Sequence, residues 1–391
     1  MSLDGYKNNQ FYFEQGPIRP PSEAKSLLVR ITRNCPWNKC AFCRTYKGKR
    51  FSIRPLEEVK QDIETIKRIY DEIKSISWQL GCKGEVDEEV IRFLYHTPYG
   101  EFSSFMNVAM WLYFGEGSVF LQDGNNLGVK TSDLLEILNL LKKTFSDIRR
   151  ITSYGRSKTI AKRKTVEELK ALHDAGLSRI HIGLESGYDP VLELVRKGVT
   201  AAEHIEAGRK VKEAGISLSE YVIPGLGGKK LTRKHALETA RVLNQINPDF
   251  IRLRTLRVLD GAGLDEKVAS GEFEPLNDEE IVREIRLMIE HLNGINSYLV
   301  SDHILNLLEE VEGKLPEDKP KMLAVIDRFL QLSPEEKCNF RLGRRANVYR
   351  TLDDMKNPEL YQQVEGALKQ IMGPEGQGLE KVIADLTKRY I

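Results

Sequence analysis

The sequence predicts an α/β fold, a partial, TIM-like (β/α)6 barrel followed by a helical C-terminal domain. Short β-branched runs that end at Gly, Pro or Asn alternate with segments of helical period over the first two thirds of the chain. Such alternation implies a parallel sheet with helices outside it. After Pro275 only helical periodicity continues. We therefore expect functional residues at the carboxyl ends of the strands.

Six runs are predicted to be the strands of this barrel. Each is rich in Val, Ile, Leu, Thr or aromatic residues and is bounded by residues typical of turns. They cover residues 26–32, 118–121, 149–153, 179–183, 218–223 and 250–254. Six βα units are two fewer than a complete eight-unit barrel has, so the barrel is closed or partly open.

The segments between these runs are predicted to be helices. Apolar residues recur at helical spacing within 59–70 and within 134–141. The stretch from Thr165 to Glu168 has the form of a capping box, and Gly176 is placed to end that helix. Each predicted helix therefore connects two predicted strands.

The sequence predicts three regions. An N-terminal extension covers residues 1–25, and the barrel domain covers 26–260 with a helical insertion at 50–116. A helical C-terminal domain covers 275–391. Its helices are expected at 278–293, 301–312 and 321–332 and from Pro358 onward.

Composition excludes several classes of protein. The 391 residues include 59 Lys and Arg against 57 Asp and Glu, a net charge of +2, which argues against a globally basic nucleic-acid binder. No run of apolar residues is long enough to span a membrane. The first residues lack an apolar signal core, so we expect a cytoplasmic location.

The five cysteines are distributed unevenly. Cys35, Cys40 and Cys43 follow the first predicted strand with the spacing C-x4-C-x2-C, whereas Cys82 and Cys338 are isolated. Three thiolates suit a zinc ion or an iron–sulfur cluster. Structural zinc has four protein ligands, so three thiolates without an evident fourth leave one metal position open, as a catalytic cluster requires. A zinc site completed from elsewhere in the chain is the alternative.

This arrangement resembles the radical S-adenosylmethionine (radical SAM) superfamily. In that family the cysteines also follow the first strand of a βα-repeat domain, and an aromatic residue, here Phe42, precedes the last one. The resemblance covers residues 25–260 and favours the branch with elongator-like and coproporphyrinogen-dehydrogenase-like members. The common spacing is CxxxCxxC, so the first gap here is one residue longer.

The resemblance implies further cofactor-binding residues after the second and third strands. Asp123, Gly124 and Asn125 stand where the family has a glycine-rich element that holds the amino group of SAM. Ser153 and Arg156 would supply a polar group and a cation at the barrel mouth. The alternatives are a simple turn and a solvated arginine.

Two more elements follow the fourth and fifth strands. Glu185 begins the sequence Glu-Ser-Gly, which resembles the family element whose Glu binds the SAM ribose hydroxyls or positions the methionyl part of SAM. Lys197 stands near the position of the cation of that element. Pro224 and Gly225 resemble the element that packs against adenine. For Glu185 the alternative is a carboxylate at a helix N-terminus.

The resemblance implies the chemistry as well. Cys35, Cys40 and Cys43 would ligate a [4Fe–4S] cluster whose fourth iron binds SAM, and one electron would cleave SAM to methionine and a 5′-deoxyadenosyl radical. That radical would abstract hydrogen from a substrate. Such a cluster is oxygen-sensitive and needs an electron donor such as flavodoxin or ferredoxin. The residues that act on the substrate are unknown.

The substrate is the least determined part of this interpretation. A small molecule is favoured over RNA because the net charge is low. RNA is the alternative, since basic residues cluster between Lys142 and Lys164. The segment 340–345 could bind an anionic group, and His181 would face the barrel interior. A non-catalytic zinc-stabilised α/β protein is the alternative from another class.

Overall fold

The structure, a computed structural model, describes residues 11–97, 101–373 and 378–387. The first ten residues of the predicted N-terminal extension, and residues 374–377 and 388–391 of the predicted C-terminal domain, lie outside the described residues. The chain forms two compact units. The first comprises residues 1–38, 46–182 and 209–218, and the second comprises 39–45, 183–208 and 219–391.

Ten strands occur in the part of the chain that the structure describes. In chain order they are β1 (Leu27–Arg30), β2 (Thr32–Arg33), β3 (Ser52–Ile53), β4 (Ser118–Gln122), β5 (Arg150–Gly155), β6 (Leu177–Glu185), β7 (Ser217–Val222), β8 (Phe250–Leu253), β9 (Tyr298–Val300) and β10 (Gly313–Lys314). All six predicted strands are present, with bounds that differ by a few residues.

The described residues also form fifteen α-helices. They are α1 (Leu56–Gln79), α2 (Glu88–His96), α3 (Phe102–Phe114), α4 (Thr131–Thr144), α5 (Ser157–Arg163), α6 (Val166–Asp174), α7 (Asp189–Leu194), α8 (Ala201–Glu213), α9 (Gly228–Ile246), α10 (Leu264–Ala269), α11 (Asp278–Glu290), α12 (Lys319–Gln331), α13 (Pro334–Arg345), α14 (Pro358–Met372) and α15 (Leu379–Thr387). Helices alternate with the strands from β4 to β8, which confirms the predicted α/β class.

The first unit contains four parallel strands in the order β1-β4-β5-β6. The register places Leu28 beside Phe120 and Phe120 beside Thr152. Parallel strands of this kind are covered on both faces, and the strand β4 is buried along its whole length. The carboxyl ends of β1 and β4 therefore lie together, where the cysteine loop and the Asp-Gly-Asn segment begin.

The predicted insertion at 50–116 contains α1, α2 and α3, together with the short strand β3, which pairs antiparallel with β2. Buried residues recur along α1 every three or four positions, from Val59 through Ile63 and Ile66 to Ile76. This face packs on β1 and on the neighbouring helices α3 and α4. The helical period read from the sequence therefore follows from one buried stripe.

The second unit contains three parallel strand neighbours, β7, β8 and β9, and the antiparallel strand β10. Helix α11 packs on α9 and α12, and α13 packs on α14 and α15. The predicted division into an extension, a barrel domain and a C-terminal domain stays a prediction. The two compact units have other boundaries.

The region after Pro275 is not exclusively helical, so that part of the prediction is wrong. It contributes β9 and β10, and residues 301–312 form turns where a helix was expected. The reason is a set of hydrogen bonds from Asn306, which donates to the Leu253 carbonyl (2.9 Å) and accepts from the Thr255 N–H (2.9 Å). These long-range bonds outweigh the local helical pattern.

A buried ion-pair cluster holds α11 against α13. The Asp278 carboxylate accepts from Arg341 (2.9 Å) and from Arg345 (2.7 Å), and all three side chains are almost excluded from solvent. Arg344, between them in sequence, pairs with Glu309 at 3.1 Å. The basic segment 340–345, a candidate for binding an anionic group, is therefore neutralised largely by carboxylates of its own unit.

None of the described helices combines the length and the apolar character that crossing a lipid bilayer requires.

Candidate active site

The first part of the cysteine loop is anchored at the end of β2. Asn34 adopts a left-handed conformation (φ 69°), which Asn tolerates better than most residues, and thereby turns the chain directly before Cys35. Its backbone N–H donates to Asp123 Oδ2 (3.1 Å), and its side-chain amide donates to the Arg50 carbonyl (2.6 Å). Both ends of this asparagine are fixed, so the backbone at Cys35 is fixed as well.

Asp123 and Gly124 support this turn from the end of β4. The buried Asp123 carboxylate accepts two hydrogen bonds from Arg30, at 2.6 and 2.9 Å, besides the one from Asn34. A Cβ on Gly124 would lie 3.3 Å from the Asn34 oxygen and 3.5 Å from the Cys35 Cβ, which is a tight approach. The structure thus brings the predicted residues Asp123 and Gly124 to Cys35.

The Asp123 carboxylate also affects Tyr46. Burial, and then the nearby negative charge of Asp123, raises the pKa of the Tyr46 hydroxyl. Tyr46 is buried and its carbonyl accepts from the side chain of Asn38, so the end of the cysteine loop folds back beside its beginning. No motif in the sequence indicates this contribution of Tyr46.

Asn125 and Arg156 meet at the start of α5. Asn125 Oδ1 accepts from the Arg156 backbone N–H (2.9 Å), and its amide donates to Thr159 Oγ1 (3.0 Å). The Arg156 guanidinium lies 5.2 Å from the centre of the Trp37 ring, in the cysteine loop. Arg156 is therefore a cation stacked beside the loop.

Ser153 is held by hydrogen bonds that connect neighbouring strands. Its buried hydroxyl accepts from Asn126 Nδ2 (3.1 Å) and donates to the Tyr154 carbonyl (3.1 Å). Asn126 is itself held by Thr32 Oγ1 at 2.9 Å and by the Leu121 carbonyl at 2.7 Å. Through Asn126, Ser153 ties β5 to the ends of β2 and β4, and its use as a ligand to SAM stays a prediction.

In the second unit, the last part of the cysteine motif is held by the backbone of Ala41. Its N–H donates to the Val195 carbonyl (2.8 Å) and its carbonyl accepts from the Leu264 N–H (2.9 Å). The Cys43 N–H donates to the Cys40 carbonyl (3.3 Å), which closes a tight turn between the two thiols. Phe42 packs against apolar residues on both sides of this segment.

Glu185 and Lys197 form an ion pair in the same unit. Lys197 Nζ donates to Glu185 Oε1 (2.8 Å) and lies 5.8 Å from the centre of the Phe42 ring. A Cβ on Gly183 would lie 2.1 Å from that carboxylate oxygen, so any other residue at this position would displace the pair. Three predicted site residues, Phe42, Glu185 and Lys197, are thus neighbours.

The Pro224–Gly225 loop is positioned by a carboxylate that sequence reasoning missed. The Gly225 N–H donates to Glu284 Oε1 (2.6 Å), and Gly225 has a φ of 89°, which favours glycine. The Pro224 carbonyl accepts from the Leu256 N–H (2.8 Å). The loop borders a cavity of about 430 Å³ whose wall includes Arg44 and Arg257.

A buried histidine connects the Glu-Ser-Gly turn to this loop. His235 Nδ1 lies 2.8 Å from Ser186 Oγ, and His235 Nε2 lies 3.1 Å from the Ile223 carbonyl and 3.6 Å from Glu284 Oε1. His235 is therefore a buried structural residue that joins the turn to the loop. Its spacing from Ser186 in sequence carries no signal of this contact.

His181 is also tied to its own unit. Its Nε2 lies 3.4 Å from Glu23 Oε1, and Glu23 also accepts from Ser26 (2.6 Å) and Arg150 (3.0 Å).

The basic run between Lys142 and Lys164 includes a lysine that is bonded within its own unit. Lys164 is buried and donates to the Val129 carbonyl at 3.0 Å, so the run does not form one continuous basic surface.

The three cysteines of the motif supply the thiol ligands that an iron–sulfur cluster requires. Cys35, Cys40 and Cys43 are free thiols, each partly exposed, and three thiols suit iron–sulfur chemistry. Among residues 11–97, 101–373 and 378–387, no three His, Cys, Asp or Glu side chains converge as ligands of one metal ion do. Three thiols in one loop are the ligand type that iron–sulfur clusters use, so the residues present fit a cluster.

Comparison with known proteins identifies the family to which the sequence is similar. Residues 29–243, more than half of the chain, match the radical SAM superfamily. The tRNA uridine(34) acetyltransferase of Methanocaldococcus infernus is 26% identical over 120 residues, which are 30% of this chain and 22% of that protein. Its counterpart in Methanocaldococcus jannaschii is 25% identical over 117 residues, again 30% and 22%. The chain thus spans about a fifth of these relatives.

Solved structures give weaker likenesses. Archaeal Elp3 of Methanocaldococcus infernus aligns with a TM-score of 0.37 and 18% identity over 44% of each chain. Methylornithine synthase aligns with a TM-score of 0.41 and 14% identity over 70% of this chain and 63% of that one. The match over more than half of the sequence decides the family. The chain belongs to the radical SAM superfamily, whose enzymes use a [4Fe–4S] cluster and S-adenosylmethionine.

Proposed function

We propose that this enzyme binds its cluster through Cys35, Cys40 and Cys43 and cleaves SAM reductively to start a radical reaction on a bound substrate. One observation carries the proposal: the turn before Cys35 is built together with the Asp123–Gly124 segment, by the Asn34–Asp123 hydrogen bond of 3.1 Å. The two elements that the family uses for cluster and SAM are therefore constructed as one local structure.

The cluster, when bound, supplies the electron that breaks a carbon–sulfur bond of SAM. The chain's own residues orient the cofactor and the substrate and exclude water from them. We assign the ribose hydroxyls to Glu185, a charge-assisted acceptor, and the methionine carboxylate to Lys197, because the pair lies beside Phe42. Pro224 and Gly225 offer backbone without bulk to adenine. Asp123, Gly124, Asn125, Ser153 and Arg156 complete the proposed site.

Glu185→Gln tests the SAM part of this proposal. We expect its affinity for SAM to fall about 10- to 100-fold, since a hydrogen bond to a charged group contributes about 1.5–3 kcal/mol. Equilibrium dialysis of labelled SAM against the anaerobically reconstituted protein measures it. Glu193→Gln, an exposed residue of α7 in the same unit, is the control. Equal affinity in both variants would argue against the assignment.

For the substrate we propose a small molecule. The cavity beside Gly225 has a volume of about 430 Å³, within the range of small-molecule sites. Arg44 and Arg257 in its wall favour a molecule with an anionic group. The enzyme would act in the cytoplasm, where cysteines stay reduced, with an electron donor such as flavodoxin or ferredoxin.

RNA is the second candidate substrate, favoured by the relatives whose names specify a tRNA uridine as their target. A titration of unmodified tRNA across a salt series decides between the two. For a small-molecule enzyme we expect weak binding that vanishes at moderate salt. Tight binding to tRNA with a steep salt slope, as about five or more phosphate contacts give, would favour RNA.

A further inference from the structure

One carboxyl group inside the second unit lacks a hydrogen-bond partner among the described residues. Glu220 lies in β7 with its side chain fully buried. Neither Oε1 nor Oε2 has a hydrogen-bond partner among the residues that the structure describes. Leaving a buried carboxyl unsatisfied is unfavourable, and an apolar residue would fill the same place without that cost. A bound molecule is the natural source of the missing partner.

The charged groups that face Glu220 belong to the proposed SAM site. Burial and then the Glu185 carboxylate raise the pKa of Glu220 well above its ordinary value, and Lys197 lowers it. Lys197 is already engaged with Glu185 at 2.8 Å. On the neighbouring strand β8, Ile251 is in register with Glu220, and the Arg252 guanidinium donates to Ser219. Burial and the Glu185 carboxylate therefore both disfavour the charged form of Glu220.

We propose that Glu220 is a ligand-binding carboxyl group, which pairs with a cationic group of the molecule held beside Glu185 and Lys197. This inference rests on the proposed function, in which that molecule is SAM. SAM carries two cationic groups, the sulfonium and the ammonium. Once Glu220 is ionised, two carboxylates stand against a single lysine, and a cationic ligand supplies the positive charge that balances them.

Binding then has a proton balance. Glu220 enters as a carboxylic acid and becomes a carboxylate when the cation arrives, and its proton passes to the buffer. No electron is transferred in this step. The number of protons released is an observable that binding to Glu185 and Lys197 alone does not predict, since these two residues are already a charged pair.

Calorimetric titration of SAM into the anaerobically reconstituted enzyme tests this, in buffers of differing ionisation enthalpy at pH 7. We expect wild type to release up to about one proton. Glu220→Gln should release none and bind SAM about 10-fold or more weakly. Glu317→Gln, an exposed glutamate of the same unit, should behave as wild type.

A second ligand identifies the cation. S-adenosylhomocysteine has the ammonium but a neutral sulfur, so proton release with SAM alone would assign the sulfonium and release with both would assign the ammonium. Absence of release in wild type, or undiminished release in Glu220→Gln, would overturn the inference. Failure of wild type to bind SAM at all would instead overturn the proposed function.

If Glu220→Gln does not fold, infrared difference spectra of the wild-type protein test the same proposal. Addition of SAM should remove a protonated-carboxyl C=O band and create a carboxylate band. An unchanged carboxyl region, with SAM shown to be bound, would contradict the inference.

Discussion

Cys35→Ala is expected to abolish assembly of the cluster and to lower reductive cleavage of SAM at least about a thousandfold, equivalent to about 4 kcal/mol in the barrier. Cys35 is one of three proposed thiolate ligands, and Asn34 and Gly124 fix its backbone. With one thiolate missing, the remaining two cannot hold three irons of a cubane. Iron and sulfide content after anaerobic reconstitution, with the absorbance near about 400 nm, measures the loss.

The two isolated cysteines are the matched controls. Cys82→Ala and Cys338→Ala remove a thiol of comparable partial exposure outside the motif, so both should retain the cluster and cleave SAM. A Cys35→Ala protein with a full iron complement and undiminished cleavage would contradict the ligand assignment. Loss of the cluster in either control would show that the cluster uses a ligand outside the C-x4-C-x2-C motif.

Asp278→Asn is expected to lower the free energy of unfolding by about 3–5 kcal/mol at pH 7. The side chain keeps its shape but loses its charge, so the buried Arg345 and the half-buried Arg341 lose the carboxylate that they share, while Arg341 keeps its pair with Glu380. Urea unfolding of the anaerobically reconstituted protein measures the change. Asp353→Asn, in an exposed pair with Arg328, is the control and should cost far less.

The pH dependence of this effect has a definite sign. Burial raises the pKa of Asp278, but Arg345 and Arg341 outweigh it and hold that pKa below its ordinary value. A carboxyl whose pKa is lower in the folded state stabilises above the unfolded pKa, about 3.9, and loses that contribution as pH falls through the folded pKa. The gap between wild type and Asp278→Asn should therefore narrow below about pH 4. A constant gap would contradict the ion-pair explanation.

The strands and the order of the fold could be read from the sequence because each signal is local. The β-branched runs that became β4 and β8 are buried and bounded by turn residues, so composition alone indicates them. The capping box at Thr165 is likewise formed as its sequence indicates. The prediction of a helix over residues 301–312 was wrong because Asn306 forms hydrogen bonds with residues about fifty positions away in the sequence. Periodicity does not reveal such contacts.

The motif residues of the candidate site could be predicted from the sequence, but the residues that hold them in place could not. The cysteines, the Asp-Gly-Asn segment and Glu185 stand at strand ends, where this class of fold places chemistry. The residues that hold them do not follow from spacing. Arg30 reaches Asp123 across ninety-three positions, and His235 reaches Ser186 across forty-nine. Glu220 lies within a strand, and the sequence does not indicate that it is buried with no hydrogen-bond partner among the residues that the structure describes.

We propose that this enzyme cleaves SAM to a 5′-deoxyadenosyl radical, and the products of that cleavage are a direct test. Anaerobically reconstituted protein, reduced with dithionite and given SAM, should form 5′-deoxyadenosine and methionine, and Cys35→Ala should form neither. Chromatography with mass detection measures both products. A fully reconstituted, reduced enzyme that binds SAM and returns it unchanged, with no 5′-deoxyadenosine above the Cys35→Ala background, would contradict the claim.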